Sequence, residues 1–324
     1  MRRRVSNHNE VSANKLPAPV RRFLDSSIAR ISAELMETAP YLGTQVSRWM
    51  DNLSPSGHPG DYFDQPRIFP TLLLPWWMTQ ANGTSPDLDF HRNLIYSSVN
   101  GYYFIRLVDN LMDGHSAGDL KLLPAAAFFH TEFTRVYQQY FPFDHPFWQV
   151  FRKTWMRAND AAAQGAATAE FGPEEFSEIT VAKVVAAEIP LTAAAYHLGK
   201  PDVLPPWLEF CEQLAHWFQM MDDLFDWRRD LRSGQGSYLL SEARRRKDAE
   251  ESVEAWMLRE GVNWGMDQLQ SGLRELRAQV RALHSDDAER FLLERGQRLE
   301  LDRAELRAGL NALLQAARLL DLCS

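Results

Sequence analysis

The chain has 324 residues, 45% hydrophobic and 24% charged, a composition that supports a sizeable core in a soluble globular protein. Its formal net charge of -8 argues against a nucleic-acid binder, which needs a basic surface. Two cysteines, Cys211 and Cys323, give no disulfide framework and fit a reducing compartment.

The first residues, "MRRRVSNHNEVSANKLPAPV", are basic without the apolar run of a secretory signal, and 1–17 read as a disordered tail. The longest uncharged apolar stretch, "IFPTLLLPWWM", is short and interrupted by proline, so no stable membrane insertion is expected and the protein reads as cytoplasmic. Helical periodicity dominates and no run alternates in the manner of a strand. Helices are predicted over 18–38, 66–80, 88–114, 122–140, 144–166, 173–198, 203–232, 237–284 with at least one break, and 286–321. Turn-forming clusters at "SPSGHPGD", "NGTSPD", "FPFDHP", "FGPEE", "GKPDVLPP" and "SGQGS" separate most of these segments. Nothing resembles an interdomain linker, and the expectation is one all-α domain over 18–324.

One stretch asks for an explanation. "FQMMDDLFDWRRDLRSGQGSYLL" carries Asp222, Asp223, Asp226 and Asp230 directly after an apolar run. Helical residues four apart lie about 40° apart around the axis and about 6 Å along it, so Asp222, Asp226 and Asp230 share one face. Like charges at that spacing destabilise a helix. Phe218 and Ala215 precede the row on the same face, as for an apolar cavity with an acidic rim; a charged helix end facing water is the plainer alternative. A second pair, Asp109 and Asp113, stands in "YYFIRLVDNLMDGHS", with Tyr102, Ile105 and Arg106 upstream. Mg²⁺ takes one or two carboxylates and fills its shell with water and phosphate oxygens, so two such rows could grip a diphosphate through metal ions.

With these motifs the sequence resembles the class I isoprenoid synthases: terpene cyclases, trans-prenyltransferases and squalene/phytoene synthases. "DDLFDWRRD" has the spacing of the cyclase second metal motif, with Asp222, Asp226 and Asp230 at its three ligand positions. It also matches the prenyltransferase motif Q-x-x-D-D-x-x-D through Gln219, Asp222, Asp223 and Asp226. "DNLMD" is similar to the first motif as D-x-x-x-D, with Asn110 in second place. The resemblance covers roughly 65–240. It implies a single-domain helical bundle around a central apolar cavity, with Mg²⁺ in a cluster of three, or Mn²⁺ in its place. Asp109, Asp113, Asp222, Asp226 and Asp230 would be the ligands.

By the same resemblance Lys183 would contact phosphate, Ala186, Ala187 and Ile189 would line the cavity, and Pro190 should kink the helix. An exposed lysine on a kinked core helix is the competing reading. Arg106, Gln219, Arg228, Arg229, Arg232 and Tyr238 are further candidates for the diphosphate; arginine beside aspartate on a helix is as often a surface ion pair. Tyr102 and Phe218, on the faces of the acidic rows, could stabilise a carbocation through their rings. Gly234 and Gly236 form no dinucleotide fingerprint, since no strand precedes them.

Chain-elongating members carry a G-K-R-x-R-P-like basic motif. In "DQPRIFPTLLLP" only Arg67 matches it, with Pro66 and Phe69 in place of basic residues. A cyclase converting farnesyl or geranylgeranyl diphosphate to a terpene is therefore the first expectation. A trans-prenyltransferase or head-to-head synthase is the alternative, and a non-catalytic prenyl diphosphate-binding protein the second. A homodimer is left open.

Overall fold

The computed structural model describes residues 16–112, 119–168 and 170–321, without the side chains of 119, 166 and 310–321. Among the described residues there is no strand. The order is α1 Ala18–Thr38, α2 Pro40–Leu53, α3 Leu74–Ala81, α4 Leu88–Met112, α5 Leu123–Tyr137, α6 Phe147–Ala167 and α7 Pro173–Val184. There follow α8 Glu188–His197, α9 Leu204–Ser233, α10 Tyr238–Arg246, α11 Val253–Trp256, α12 Val262–Ala282 and α13 Asp286–Asp321. Contacts divide the chain into two compact units. The first comprises Met1–Ala167 with Val181–Glu212, and the second Thr168–Thr180 with Gln213–Ser324.

In the first unit α1 follows its apolar spacing and buries Val20, Leu24, Ile28, Ile31 and Leu35. Leu16, read from sequence as part of the tail, is buried, and its N–H donates to Asp64. Helix α2 was not predicted, although Pro40 opens it and Gly43, Val46, Trp49 and Met50 recur at helical spacing on its buried face. Predicted helix 66–80 begins only at Leu74, because Pro66 and Pro70 fall in turns and Pro75 sits in the first helical turn, where a missing N–H is tolerated.

Helices α4 and α5 pack closely. Ser97 Oγ donates to the Phe133 carbonyl at 2.7 Å, and a Cβ on Gly101 would lie 2.8 Å from the Phe133 ring. Gly101→Ala is therefore expected to destabilise the protein by about 1–3 kcal/mol through overpacking. A thermal melt checks this, and an unchanged midpoint would show that Phe133 yields freely.

The segment Pro173–His197 is long and apolar enough to cross a membrane by composition. Its most apolar 18-residue window is 78% buried, and the segment is broken into α7, a 3₁₀ turn at Val185–Ala187, and α8, as suits a core segment. The predicted kink is present, but it precedes Pro190, which occupies the third position of α8. A prolyl ring clashes with the carbonyl four residues earlier, here that of Ala186, so the α-helical pattern stops before that contact would form.

In the second unit Trp217 Nε1 on α9 donates to the Leu269 carbonyl of α12 at 2.9 Å, and Leu224 packs where Gly265 leaves room. The predicted break in 237–284 is double. Residues 247–252 are non-helical, and a π-turn at Met257–Gly261 joins α11 to α12.

Candidate functional site

The acidic row lies on uninterrupted α-helix, so Asp222, Asp226 and Asp230 occupy one face of α9 as the spacing required. Asp222 and Asp226 are half-buried and Asp230 is buried. Arg229 is shared within the row, its Nη2 standing 2.9 Å from Asp226 and 3.3 Å from Asp230. That guanidinium relieves the repulsion within the row, because a positive group stands between two of its members. Arg228 is exposed and lies over the ring of its neighbour Trp227. Arg232 is also exposed.

Asp223 is 3% exposed and belongs to a different set of contacts. It accepts from Gln219 Nε2 at 2.8 Å and from the N–H groups of Tyr238 and Leu239 at 2.9 and 3.3 Å. Burial pushes its carboxyl up to about 6, although the three donors pull the other way. Gln219, a candidate for the diphosphate, thus turns its amide to Asp223. Tyr238 is half-buried, its ring stacked on Phe176 with centroids 4.4 Å apart.

Phe218 is buried one turn before Asp222. The guanidinium of Arg295, from α13, lies 5.8 Å from the centre of its ring and 4.6 Å from that of Phe291. Burial lowers the Arg295 pKa to about 10, which still leaves it charged at neutral pH. A cation already beside Phe218 competes with the carbocation-stabilising role expected for that ring. Arg295 was not anticipated; the only sequence signal is its position in a charged amphipathic helix.

In the first unit Asp109 is half-buried near the end of α4, with its carboxylate 3.9 Å from Arg106 Nη1. Asp113 lies outside the described residues. Tyr102 shares a hydroxyl–hydroxyl hydrogen bond with Tyr62 and packs on Phe63 at 5.2 Å. Burial pushes its phenol well above the usual range. Lys183 ends α7 half-buried and makes no ion pair among the described residues. Arg21 on α1 forms a hub with Asp25, Asp61 and Asp64, fixing the segment that leads to Arg67.

The donor set is all carboxylate, which suits hard Mg²⁺ rather than a soft metal. Among the described residues no three acidic, histidine or cysteine side chains converge on one point. An ion that takes one or two carboxylates and completes its shell with water and phosphate does not need such a cluster.

No protein-family model matches the chain, and no curated protein matches it in sequence. Solved structures do. The polyprenyl synthase of Caulobacter crescentus CB15, complexed with calcium and isoprenyl diphosphate, aligns with a TM-score of 0.67 over 89% of this chain and 97% of its own. Octaprenyl pyrophosphate synthase from Helicobacter pylori gives 0.66, over 86% and 99%. Geranylgeranyl pyrophosphate synthase from Corynebacterium glutamicum ATCC 13032 gives 0.66, over 90% and 96%. The chain has the isoprenoid synthase fold. At 12–13% identity the likeness to these synthases is one of fold, and it extends over nearly their whole length. The all-α architecture implied by the two motifs is thus the one the isoprenoid synthase fold provides.

Proposed function

We propose that this protein is an enzyme acting on prenyl diphosphates, with trans-prenyl transfer as its reaction. The observation that carries the reading is the aspartate row on one face of α9 in a chain with the fold of three prenyl synthases. This reverses the order drawn from sequence, where cyclisation came first, because those structural neighbours are named as prenyl synthases and none as a cyclase.

In this reading Asp222, Asp226 and Asp230 of α9 would hold Mg²⁺, as would Asp109 and Asp113 of the other acidic stretch, and the bound metal would supply neutralisation of the leaving diphosphate's charge. Lys183 adds a fixed positive charge, and its lack of an ion-pair partner among the described residues leaves it available for phosphate. Arg229 holds the row together until substrate arrives and can then turn towards a phosphate oxygen. The allylic C–O bond breaks with its electron pair going to diphosphate. The double bond of isopentenyl diphosphate then attacks the allylic carbon, and a proton is lost to form the new double bond.

Cyclisation stays as a second reading on one observation: Pro66 and Phe69 stand where elongating relatives carry basic residues for the second diphosphate. Product length separates the two. Purified protein is incubated with Mg²⁺ and farnesyl or geranylgeranyl diphosphate, with and without isopentenyl diphosphate. A longer prenyl diphosphate, formed only when both substrates are present, is the expected result. A hydrocarbon or alcohol from the allylic substrate alone would replace prenyl transfer with cyclisation, and no diphosphate release from any combination would sink both.

A further inference from the structure

The doublet Asp222–Asp223 reads in sequence as one motif, yet its members sit in different surroundings. Both oxygens of Asp223 are engaged: Oδ1 by Gln219, and Oδ2 by the N–H groups of Tyr238 and Leu239. The next N–H, that of Leu240, goes to Ser237 Oγ at 3.3 Å. The first three amide groups of α10 are therefore all satisfied, two of them by a carboxylate fifteen and sixteen residues earlier in the chain. A nine-residue helix is marginal by itself, and a carboxylate at its positive end is among the stronger local means of fixing it.

What α10 carries shows why its register matters. Ser241 Oγ accepts the Phe171 N–H at 3.0 Å, and Arg245 donates to the Phe171 carbonyl at 2.9 Å. The Tyr238 ring stacks on Phe176 and meets Trp264 of α12 with centroids 6.2 Å apart. The four-residue strap 234–237 crosses from α9 to α10, with the Gln235 N–H returning to the Asp230 carbonyl at 3.0 Å. The start of α10 is thus tied to α9 by Asp223, and the strap before it by the Asp230 carbonyl.

We propose that Asp223 is a positioning residue rather than a metal ligand: it clamps the N-terminus of α10 to α9, sets the Tyr238 ring, and leaves metal binding to Asp222, Asp226 and Asp230. The proposal rests on the reading above for the roles of those three, but the clamp itself does not.

The test compares Asp222→Asn, Asp223→Asn and Ser237→Ala by thermal melting, alone and with Mg²⁺ plus inorganic diphosphate, a ligand pair that stabilises only a protein that binds it. Asp223→Asn should melt several degrees lower without ligand and still gain the wild-type upward shift with it. Asp222→Asn should melt unchanged without ligand and lose the shift. If Asp223→Asn does not fold, Ser237→Ala opens the same helix end more gently, and a lowered midpoint with the shift kept supports the clamp. Combined in a double mutant, the two substitutions at this helix end should give less than the sum of their separate losses. The proposal is overturned if Asp223→Asn keeps its midpoint and loses the ligand shift, the behaviour of a metal ligand. A wild-type protein with no ligand shift would remove the metal reading of the row, while the ligand-free midpoints would still decide whether Asp223 is a clamp.

Discussion

Replacing Asp226 with alanine is expected to abolish turnover while leaving the fold intact. The residue lies at the centre of the row, so each neighbouring carboxylate is one helical turn away and any ion shared along the row touches it. Removing one preorganised charge-stabilising group from an active site lowers the rate by roughly 10²–10³ or more, and loss of a shared metal should reach the upper end. The loss through Arg229 is small. Asp226 is 30% exposed and its bond to Arg229 is a partly solvated ion pair, worth about 0–1 kcal/mol. Alanine returns part of that through its higher helix propensity, and Arg229 keeps Asp230 as a partner. The midpoint of thermal unfolding should stay close to that of the parent. Near-parental diphosphate release at saturating Mg²⁺ would end the assignment of Asp226 as a ligand.

Glu188→Gln should have its largest effect on stability, growing as pH rises from about 4.5 and complete above about 7. Glu188 is 9% exposed at the start of α8, and burial, then the nearby Glu212 carboxylate of α9, push its pKa from 4.5 up to about 7. Arg157 of α6 opposes the shift, and Cys211 lies in the same surroundings. An acid whose folded pKa is raised binds its proton more tightly when folded. The stability is therefore complete below the unfolded pKa of 4.5, declines as pH rises from 4.5 to 7, and stays reduced above that. The interval corresponds to a loss of up to about 3 kcal/mol. Glutamine has no proton to lose, so the variant should melt at nearly the same temperature as the parent at pH 4 and several degrees higher at pH 8. Parallel melting curves at both pH values would show that Glu188 is not the group responsible.

Much of the helical order was legible because apolar spacing is strong in long amphipathic segments; α1, α4, α9 and α13 begin within a residue or two of where the pattern places them. What was missed has physical causes. Helix α2 is short and begins right behind α1, so its four buried positions are too few to stand out as a separate apolar repeat between residue 38 and the turn cluster "SPSGHPGD". Pro66 and Pro70 sat in an apolar run that resembles a helix until the missing N–H groups are counted. The one-face placement of Asp222, Asp226 and Asp230 follows from the helical repeat alone, and it holds. The distinct surroundings of Asp223 were invisible, since they depend on where the chain returns fifteen residues later. Arg295 beside Phe218 is a contact between helices far apart in sequence, and no local pattern announces it.

The 3₁₀ turn at Val185–Ala187 acts as a gear change within one apolar segment. Each residue there advances the chain by about 120° instead of about 100°, so three of them turn α8 by about 60° relative to a straight continuation of α7. The azimuth of Lys183 is thereby decoupled from that of Glu188 and the residues after it. A single substitution in the turn leaves this offset in place. A one-residue insertion or deletion would rotate the whole of α8 by about a third of a revolution and carry its small buried side chains Ala193, Ala194 and Ala195 out of register together. In this stretch the length of the connection is under tighter constraint than the identity of the residues that form it.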